Sequence, residues 1–184
     1  MTYENDDIEK AVHALQSGQV IVFPTDTAYG LGGDFQNPDV TDAILKIKKR
    51  EDSKFTLIAS SLEQVKKYFD LSDYAIAIAS HYWPGPLSLV VSDRFSIRVP
   101  DNDIAHAIAE KFESPIIATS ANRSGYSETY TLQDAKDSLQ TSDVAVWVDG
   151  GELKKRIPST IISVNNNTVQ VLREGAIELN LDAI

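Results

Sequence analysis

Apolar positions along this chain switch repeatedly between the spacing of a helix and that of a strand. Apolar residues three or four positions apart predict a first helix at residues 7–17, and Gly18 is typical of a helix end. The uninterrupted apolar run at residues 20–23 then predicts a buried strand. Repeated alternation of this kind is typical of an α/β domain.

The same patterns extend through the rest of the chain. Further helices are predicted at residues 38–50, 61–69, 72–82, 103–112 and 131–139. Further strands are predicted at residues 55–59, 87–91, 95–99, 115–118, 144–148, 160–164 and 169–172, the last two as a hairpin. We find no internal repeat and no low-complexity linker, so we expect one α/β domain spanning residues 1–184.

Two of the predicted strands end in polar segments that are candidate binding sites. Residues 25–34 are predicted to form a long loop that contains hydroxyl groups, Asp26 and several glycines, and residues 119–125 follow a later strand. The glycines, which would let the backbone approach a ligand closely, are Gly30, Gly32 and Gly33. Ligands of α/β sheets gather at strand ends. The alternatives are an ordinary turn and a helix cap that use the same groups locally.

Composition limits the classes of function. The formal net charge of −10 and the pI of about 4.7 argue against a protein that binds nucleic acids generally or an anionic membrane, because such a protein needs a broad cationic face. The absence of cysteine excludes disulfides, thiolate catalysis and cysteine-ligated zinc. Without a signal-peptide pattern or an apolar run of ~20 residues, we expect a cytoplasmic protein. Any polyanion must therefore be bound by a local group of cations.

Familiar catalytic and nucleotide-binding motifs are missing from the chain. It has no Walker-type loop, no G-x-G-x-x-G after a strand, no G-x-S-x-G and no H-E-x-x-H. The three histidines, His13, His81 and His106, each fall in a predicted helix with no partner at ligand spacing. We expect structural or surface roles for them, which disfavours a mechanism centred on histidine.

A basic cluster at residues 46–54 contrasts with the acidic chain. Its members are Lys46, Lys48, Lys49, Arg50 and Lys54. One interpretation is an anion site. The other is a solvated helix end, where cations interact favourably with the negative end of the helix macrodipole. Lys54 lies beyond the predicted helix, so the macrodipole does not explain it. Arg98 and Arg173, each near the end of an apolar run, are further candidates for carboxylate or phosphate recognition, with a surface salt bridge as the alternative.

Eight ordered segments together resemble one known family. They are PTDTAYGLG at residues 24–32, KKR at 48–50, WPGPL at 83–87, IRVP at 97–100, ATSANRSG at 118–125, DGG at 149–151, PSTI at 158–161 and LREG at 172–175. In this order they resemble the YrdC-domain family, the threonylcarbamoyl-AMP synthases, over about residues 8–177. The chain is similar to the short, single-domain members of that family.

The resemblance implies a fold and a reaction. The fold would be a single α/β domain with a twisted mixed sheet flanked by helices and an open, positively lined cavity. The reaction would convert L-threonine, bicarbonate and ATP to threonylcarbamoyl-AMP and pyrophosphate, for the N6-threonylcarbamoyl modification of adenosine 37 in tRNA. Partners would be tRNA and the downstream transfer proteins. Mg²⁺ would accompany the triphosphate, held by phosphate oxygens and water, with no metal ligand from the protein.

The resemblance also assigns residues. Lys48 and Arg50 would be the catalytic residues, and ATP would be bound by Lys48, Arg50, Lys54, Ser120, Asn122 and Arg173. L-Threonine would be bound by Thr27, Arg98 and Ser159. The chain departs from the family pattern at three positions. Glu51, which Asp52 follows, stands where proline is common. Ala59 stands where some members have a histidine that contacts threonine, and Arg94 stands where many members have threonine or serine.

Two other functions remain open from the sequence. A non-catalytic RNA-binding or ribosome-maturation factor could use the same basic patch, although the net charge of −10 counts against it. The other hypothesis is a carbamoyl-transfer module like that of hydrogenase-maturation proteins. Such chains carry further domains, which 184 residues do not accommodate.

Overall fold

The structure, a computed structural model, describes residues 5–181. This part of the chain contains six helices and nine strands. The helices are α1 (Asn5–Gln16), α2 (Pro38–Lys48), α3 (Leu62–Tyr68), α4 (Asp73–Tyr82), α5 (Asp103–Lys111) and α6 (Leu132–Leu139). The strands are β1 (Val20–Pro24), β2 (Tyr29–Asp34), β3 (Phe55–Ile58), β4 (Leu87–Val90), β5 (Phe95–Arg98), β6 (Ile116–Ser120), β7 (Val144–Trp147), β8 (Thr160–Asn165) and β9 (Thr168–Arg173).

All nine strands belong to one mixed sheet in the order β7-β1-β2-β6-β3-β5-β4-β8-β9. The pairs β1–β7, β3–β5 and β4–β8 are parallel, and the other neighbouring pairs are antiparallel. The expected hairpin of β8 and β9 is present, and β4 and β5 also pair antiparallel. The predicted α/β fold with a mixed sheet is confirmed.

Helices cover both faces of the sheet, which explains the uninterrupted apolar run of β1. Val20 and Val22 contribute to the hydrophobic cluster that contains the buried residues of α2, α3 and α6. Ile21 and Phe23 contribute to the cluster that contains those of α1 and α5. Successive side chains of a strand point to opposite faces, so a strand buried on both faces is apolar at every position.

Residues 29–34 are a strand, so the prediction of a continuous loop at residues 25–34 is wrong there. β2 lies between β1 and β6, and its glycines allow close packing. A Cβ at Gly32 would lie 2.0 Å from the Ile117 carbonyl oxygen, and one at Gly33 would lie 2.2 Å from Val40 Cγ1. Glycine usually indicates a loop, but here it admits a neighbouring strand and helix.

Helix ends set the position of the basic cluster. Asn37 caps α2 by accepting a hydrogen bond from the Asp39 amide at 3.0 Å, and Pro38 opens the helix, as predicted. The other end differs from the prediction, which extended the helix to residue 50. Lys49 adopts the left-handed conformation, with φ of 52°, and terminates α2. Arg50 therefore lies in the following turn, where it can face away from the helix axis.

Within residues 5–181, no helix is both long enough and apolar enough to cross a membrane.

We expect Gly32→Ala to lower the free energy of unfolding by about 1–3 kcal/mol, because the new Cβ meets a backbone oxygen that cannot move away alone. Urea denaturation of both proteins measures this difference. Gly30→Ala in the same strand is the matched control, since its Cβ would have ordinary contacts of 3.6 Å and longer. Equal destabilisation by the two substitutions would contradict the packing role of Gly32.

Candidate functional site

An open cleft of about 810 Å³ lies against the ends of β2, β3, β5 and β9. Its charged lining residues are Arg50, Lys54, Arg94, Arg98, Arg156 and Arg173, with the acidic Asp93 and Glu128. Six cations against two carboxylates make this surface strongly positive in a chain of net charge −10. The cleft thus collects the charge needed to bind an anionic ligand.

One end of the cleft is organised around Arg98, at the end of β5. Its Nη1 pairs with the Asp26 carboxylate, and its Nη2 donates to the Thr27 hydroxyl at 3.0 Å. Arg98 is 5% exposed and the Asp26 side chain is fully buried. Asp26 is not among the residues lining the cleft. It therefore orients Arg98 from behind, and although Asp26 belongs to one of the candidate binding segments, its carboxylate does not face the cleft.

Arg173 is held beside Arg98 by the segment before β8. Its Nε and Nη2 donate to the Ser159 carbonyl oxygen at 3.0 and 2.8 Å, and Nη2 also donates to the Ser159 hydroxyl at 3.0 Å. Burial, followed by the nearby charge of Arg98, lowers the pKa of Arg173. Two guanidinium groups that repel each other across a cleft are stabilised by a shared anion.

The basic turn, defined as residues 50–54, lies at the opposite end of the cleft. Lys54 directly precedes β3, and Ile58 at the far end of β3 is the register partner of Arg98. Four residues of strand span roughly 13 Å. The backbones of the two cationic groups of the cleft, Arg50 with Lys54 and Arg98 with its neighbour Arg173, are therefore about one short strand apart.

Asp52 organises the basic turn. Its Oδ2 accepts a hydrogen bond from Arg50 Nη2 at 3.0 Å, and its Oδ1 accepts one from the Lys54 amide at 3.0 Å. Arg50 Nη2 also donates to the Lys54 carbonyl oxygen at 2.7 Å. The Lys54 amide and then the Arg50 guanidinium lower the pKa of Asp52. The acidic departure from the family pattern at this position thus closes the turn that presents Arg50.

Lys48 lies beneath the cleft surface. Its ammonium group donates to the carbonyl oxygens of Ser120 and Asn122 at 2.5 and 2.8 Å, and it is 3.4 Å from Asn122 Oδ1. The residue is 2% exposed. Burial, with a smaller effect of the Arg50 charge, lowers the pKa of Lys48 to about 8. Lys48 therefore joins the end of α2 to the segment that carries Ser120.

Tyr29 anchors the segment at residues 149–151, which the family resemblance also includes. Its hydroxyl accepts a hydrogen bond from the Gly150 amide at 2.9 Å and is 2.8 Å from the Gly151 carbonyl oxygen. Burial raises the pKa of Tyr29 to about 12. Tyr29 lines the cleft, so the segment at residues 149–151 supports this part of the cleft wall from behind.

A family model with the description "Telomere recombination", named for Sua5, YciO and YrdC, matches residues 13–175. The chain belongs to the Sua5/YciO/YrdC family. It is 32% identical to the threonylcarbamoyl-AMP synthase of Vibrio parahaemolyticus, over 92% of this chain and all of that protein.

Solved structures of the Sua5/YciO/YrdC family have the same fold. The crystal structure of P. abyssi Sua5 complexed with L-threonine matches with a TM-score of 0.87 and 28% identity, over 95% of this chain and 56% of Sua5. This chain therefore spans little more than half the length of Sua5. E. coli YciO matches with a TM-score of 0.84 and 27% identity, over 97% of this chain and 93% of YciO.

The structure places most of the residues that the family resemblance assigned on the cleft wall. They are Thr27, Arg50, Lys54, Arg98, Ser120, Ser159 and Arg173. Lys48 and Asn122 do not line the cleft. Their direct contact with ATP stays a prediction, and it would require Lys48 to exchange its bonds to Ser120 and Asn122 for bonds to phosphate.

Sequence reasoning missed three charged residues of the cleft, Asp93, Arg156 and Glu128. Arg156 follows two lysines, and this run of three cations was an available signal. Glu128 lies in an irregular segment between β6 and α6, where no periodicity or motif distinguishes it. None of the histidines lines the cleft. Within residues 5–181, no group of three or more acidic or histidine side chains could hold a metal ion.

Lys48 gives a pH-dependent prediction. The pKa of Lys48 is about 8 in the folded chain, whereas its ordinary value, taken for the unfolded chain, is 10.5. Between pH 8 and 10.5 the unfolded chain therefore binds more protons than the folded chain, and the free energy of unfolding rises with pH. We expect the wild type to gain roughly 2 kcal/mol of unfolding free energy over Lys48→Met between pH 8 and 10.

Urea denaturation at several pH values from 7 to 10 measures this gain. Lys46→Met is the matched control, because Lys46 is exposed in the same helix. A wild type and a Lys48→Met variant whose unfolding free energies change in parallel with pH would contradict the buried, easily deprotonated ammonium group.

Proposed function

We propose that this member of the Sua5/YciO/YrdC family is a threonylcarbamoyl-AMP synthase, which forms threonylcarbamoyl-AMP and pyrophosphate from L-threonine, bicarbonate and ATP. The observation that carries the proposal is one cleft with two cationic sites about one short strand apart. One site suits an amino-acid carboxylate and the other a polyphosphate. The relatives named for this activity, and the Sua5 structure with L-threonine, support it.

L-Threonine binds at the Arg98 end in this proposal. A guanidinium group offers two parallel N–H donors to a carboxylate, and Asp26 and Thr27 already fix the plane of the Arg98 side chain. The hydroxyls of Thr27 and Ser159 line the same part of the cleft and can accept or donate hydrogen bonds to the substrate. The site is preorganised, so little side-chain freedom is lost on binding.

The triphosphate binds at the opposite end. Arg50 and Lys54 lie there, and Arg94 joins them because its carbonyl oxygen accepts a hydrogen bond from the Phe55 amide at 2.9 Å. Arg173, which lies beside Arg98, and Ser120 also line the cleft and would contact the nucleotide in this proposal. Lys48 and Asn122 support the Ser120 segment from below. The arginine at position 94 thus adds positive charge where many family members have a hydroxyl.

The chemistry requires no nucleophile from the protein. The amine of L-threonine captures bicarbonate to form a carbamate with loss of water, and a carbamate oxygen then attacks the α-phosphorus while pyrophosphate leaves. The protein brings the reactants together and neutralises charge on the phosphoryl centre and on the leaving group. Arg50, with Lys48 behind it, carries the catalytic role in this proposal, because cations near the leaving pyrophosphate stabilise the transition state.

Mg²⁺ enters this proposal with ATP. The described residues offer no cluster of metal ligands, so the cleft fits an ion that is held by phosphate oxygens and water. Such an ion would neutralise part of the triphosphate charge. The residues of this chain, chiefly Arg50 and Lys54, would then bind the remaining charge.

The product would be consumed in the cytoplasm by transfer proteins that modify tRNA, which is the remaining part of the proposal. An RNA-binding factor without catalysis is a weaker explanation. The cations of the described surface that form the cleft are concentrated in one concave site, and the chain as a whole has a net charge of −10. A long RNA would need a broader cationic face.

The proposed reaction predicts pyrophosphate release from ATP that requires both L-threonine and bicarbonate. A coupled pyrophosphate assay measures it, and mass spectrometry should detect threonylcarbamoyl-AMP in the same mixture. Omission of either co-substrate should reduce the rate to background. Pyrophosphate release that is indifferent to L-threonine would refute the assignment.

We expect Arg50→Ala to reduce kcat/KM for ATP by roughly 100-fold or more, because it removes a preorganised cation from the phosphate end. The fold should remain, since Asp52 still accepts from the Lys54 amide. Lys46→Ala removes the same charge outside the cleft and should retain nearly wild-type kinetics. Wild-type turnover in Arg50→Ala would exclude Arg50 from the site.

A further inference from the structure

Glu128 is an acidic side chain in a cleft that otherwise collects cations. It lines the cleft together with Thr27, Arg98 and Arg173. Within residues 5–181, its carboxylate has no hydrogen bond or ion pair, whereas Asp26 and Asp52 both have cationic partners. A carboxylate that could pair with a neighbouring arginine, and does not, remains available to a ligand that carries positive charge.

Backbone contacts place Glu128 beside the loop that carries Thr27, whose hydroxyl accepts a hydrogen bond from Arg98, and the charge of Glu128 also acts to raise the pKa of Lys48. The Tyr29 amide donates to the Thr129 carbonyl oxygen at 2.9 Å, and the Thr129 hydroxyl donates to the Ala121 carbonyl oxygen at 3.2 Å. These bonds fix the residue after Glu128 against the start of β2, next to the loop that carries Thr27. The charges of Arg98 and Glu128 also act in opposite directions on the pKa of Arg173, which places all three groups within electrostatic reach.

An amino acid whose carboxylate is bound by Arg98 also places its α-ammonium group in this part of the cleft, since both groups are attached to the same carbon. Three carboxylates could in principle receive it. Asp26 is buried behind Arg98 and does not line the cleft. Asp93 lies in the bend before β5 whereas Arg98 ends that strand, so the four strand residues, which span roughly 13 Å, separate them. Glu128 is the remaining acidic group of the cleft.

We propose that Glu128 binds the α-ammonium group of the substrate amino acid whose carboxylate is held by Arg98. This inference rests on the proposed function, because it takes the amino-acid site to lie at the Arg98 end. Glu128 would then distinguish an amino acid from a hydroxy acid or a fatty acid, and would hold the reacting nitrogen in place. An ion pair with a bound ammonium group in a partly enclosed site gives a strong, charge-assisted hydrogen bond.

Isothermal titration calorimetry, with no ATP and no turnover, tests the inference. L-Threonine is compared with 3-hydroxybutanoate, which keeps the carboxylate and the hydroxyl but lacks the amine. We expect Glu128→Gln to weaken L-threonine binding by about 10- to 100-fold, the usual effect of losing one charged hydrogen bond. Binding of 3-hydroxybutanoate should be unchanged or tighter, because a repelling charge has been removed.

The matched control is Glu110→Gln, which makes the same chemical change at an exposed position of α5 outside the cleft. It should leave the affinities for both ligands at the wild-type values. Glu128→Ala should behave as Glu128→Gln does, and thermal denaturation of both variants should show the wild-type midpoint.

Three results would overturn the assignment of Glu128. They are wild-type L-threonine affinity in Glu128→Gln, an equal loss of affinity for both ligands, and, in a separate titration with Mg²⁺-ATP alone, a loss of affinity for Mg²⁺-ATP without one for L-threonine, which would indicate a phosphate or metal role. If the wild type binds no L-threonine, the proposed function fails and this inference fails with it. If the wild type binds L-threonine and only the effect of Glu128→Gln is absent, the proposed function stands.

Discussion

The buried ion pair between Arg98 and Asp26 is the interaction on which the rest of the site depends. Asp26 follows β1 and Arg98 ends β5. Three strands, β2, β6 and β3, lie between β1 and β5 in the sheet. Their contact joins the loop after β1 to the other half of the sheet across the floor of the cleft. Removal of one partner of a buried pair leaves an uncompensated charge and costs about 3–5 kcal/mol. The pair therefore constrains both the fold and the direction of the arginine.

A similar arrangement recurs at the other end of the cleft. Asp52 orients Arg50 at the surface, as Asp26 orients Arg98 in the interior. The third arginine, Arg173, is oriented by the neutral groups of Ser159. Each cation is thus held by a protein partner, and the two carboxylate partners, Asp26 and Asp52, do not line the cleft. Such preorganisation allows an acidic chain to bind an anion, since the arrangement exists before the ligand arrives.

Local patterns predicted most elements well. The cap at Asn37, the opening of α2 by Pro38 and the hairpin of β8 and β9 depend on neighbouring residues alone. β2 was missed because its glycines resemble those of a loop, and only the packing of Ile117 and Val40 against Gly32 and Gly33 explains them. The same limit applies to Glu128, since no local pattern indicates that an irregular segment lies beside a binding site.

The sequence alone determined the alternation of helices and strands, the family, and the residue types that face an anion, because these depend on periodicity and on short motifs. Only the tertiary structure decided how those residues are used. It placed Lys48 under the cleft and Asp26 behind Arg98, and it left Glu128 facing the cavity. The reason is that burial and ion pairing are set by residues distant in the chain, and a side chain that has a buried partner is no longer free to meet a ligand.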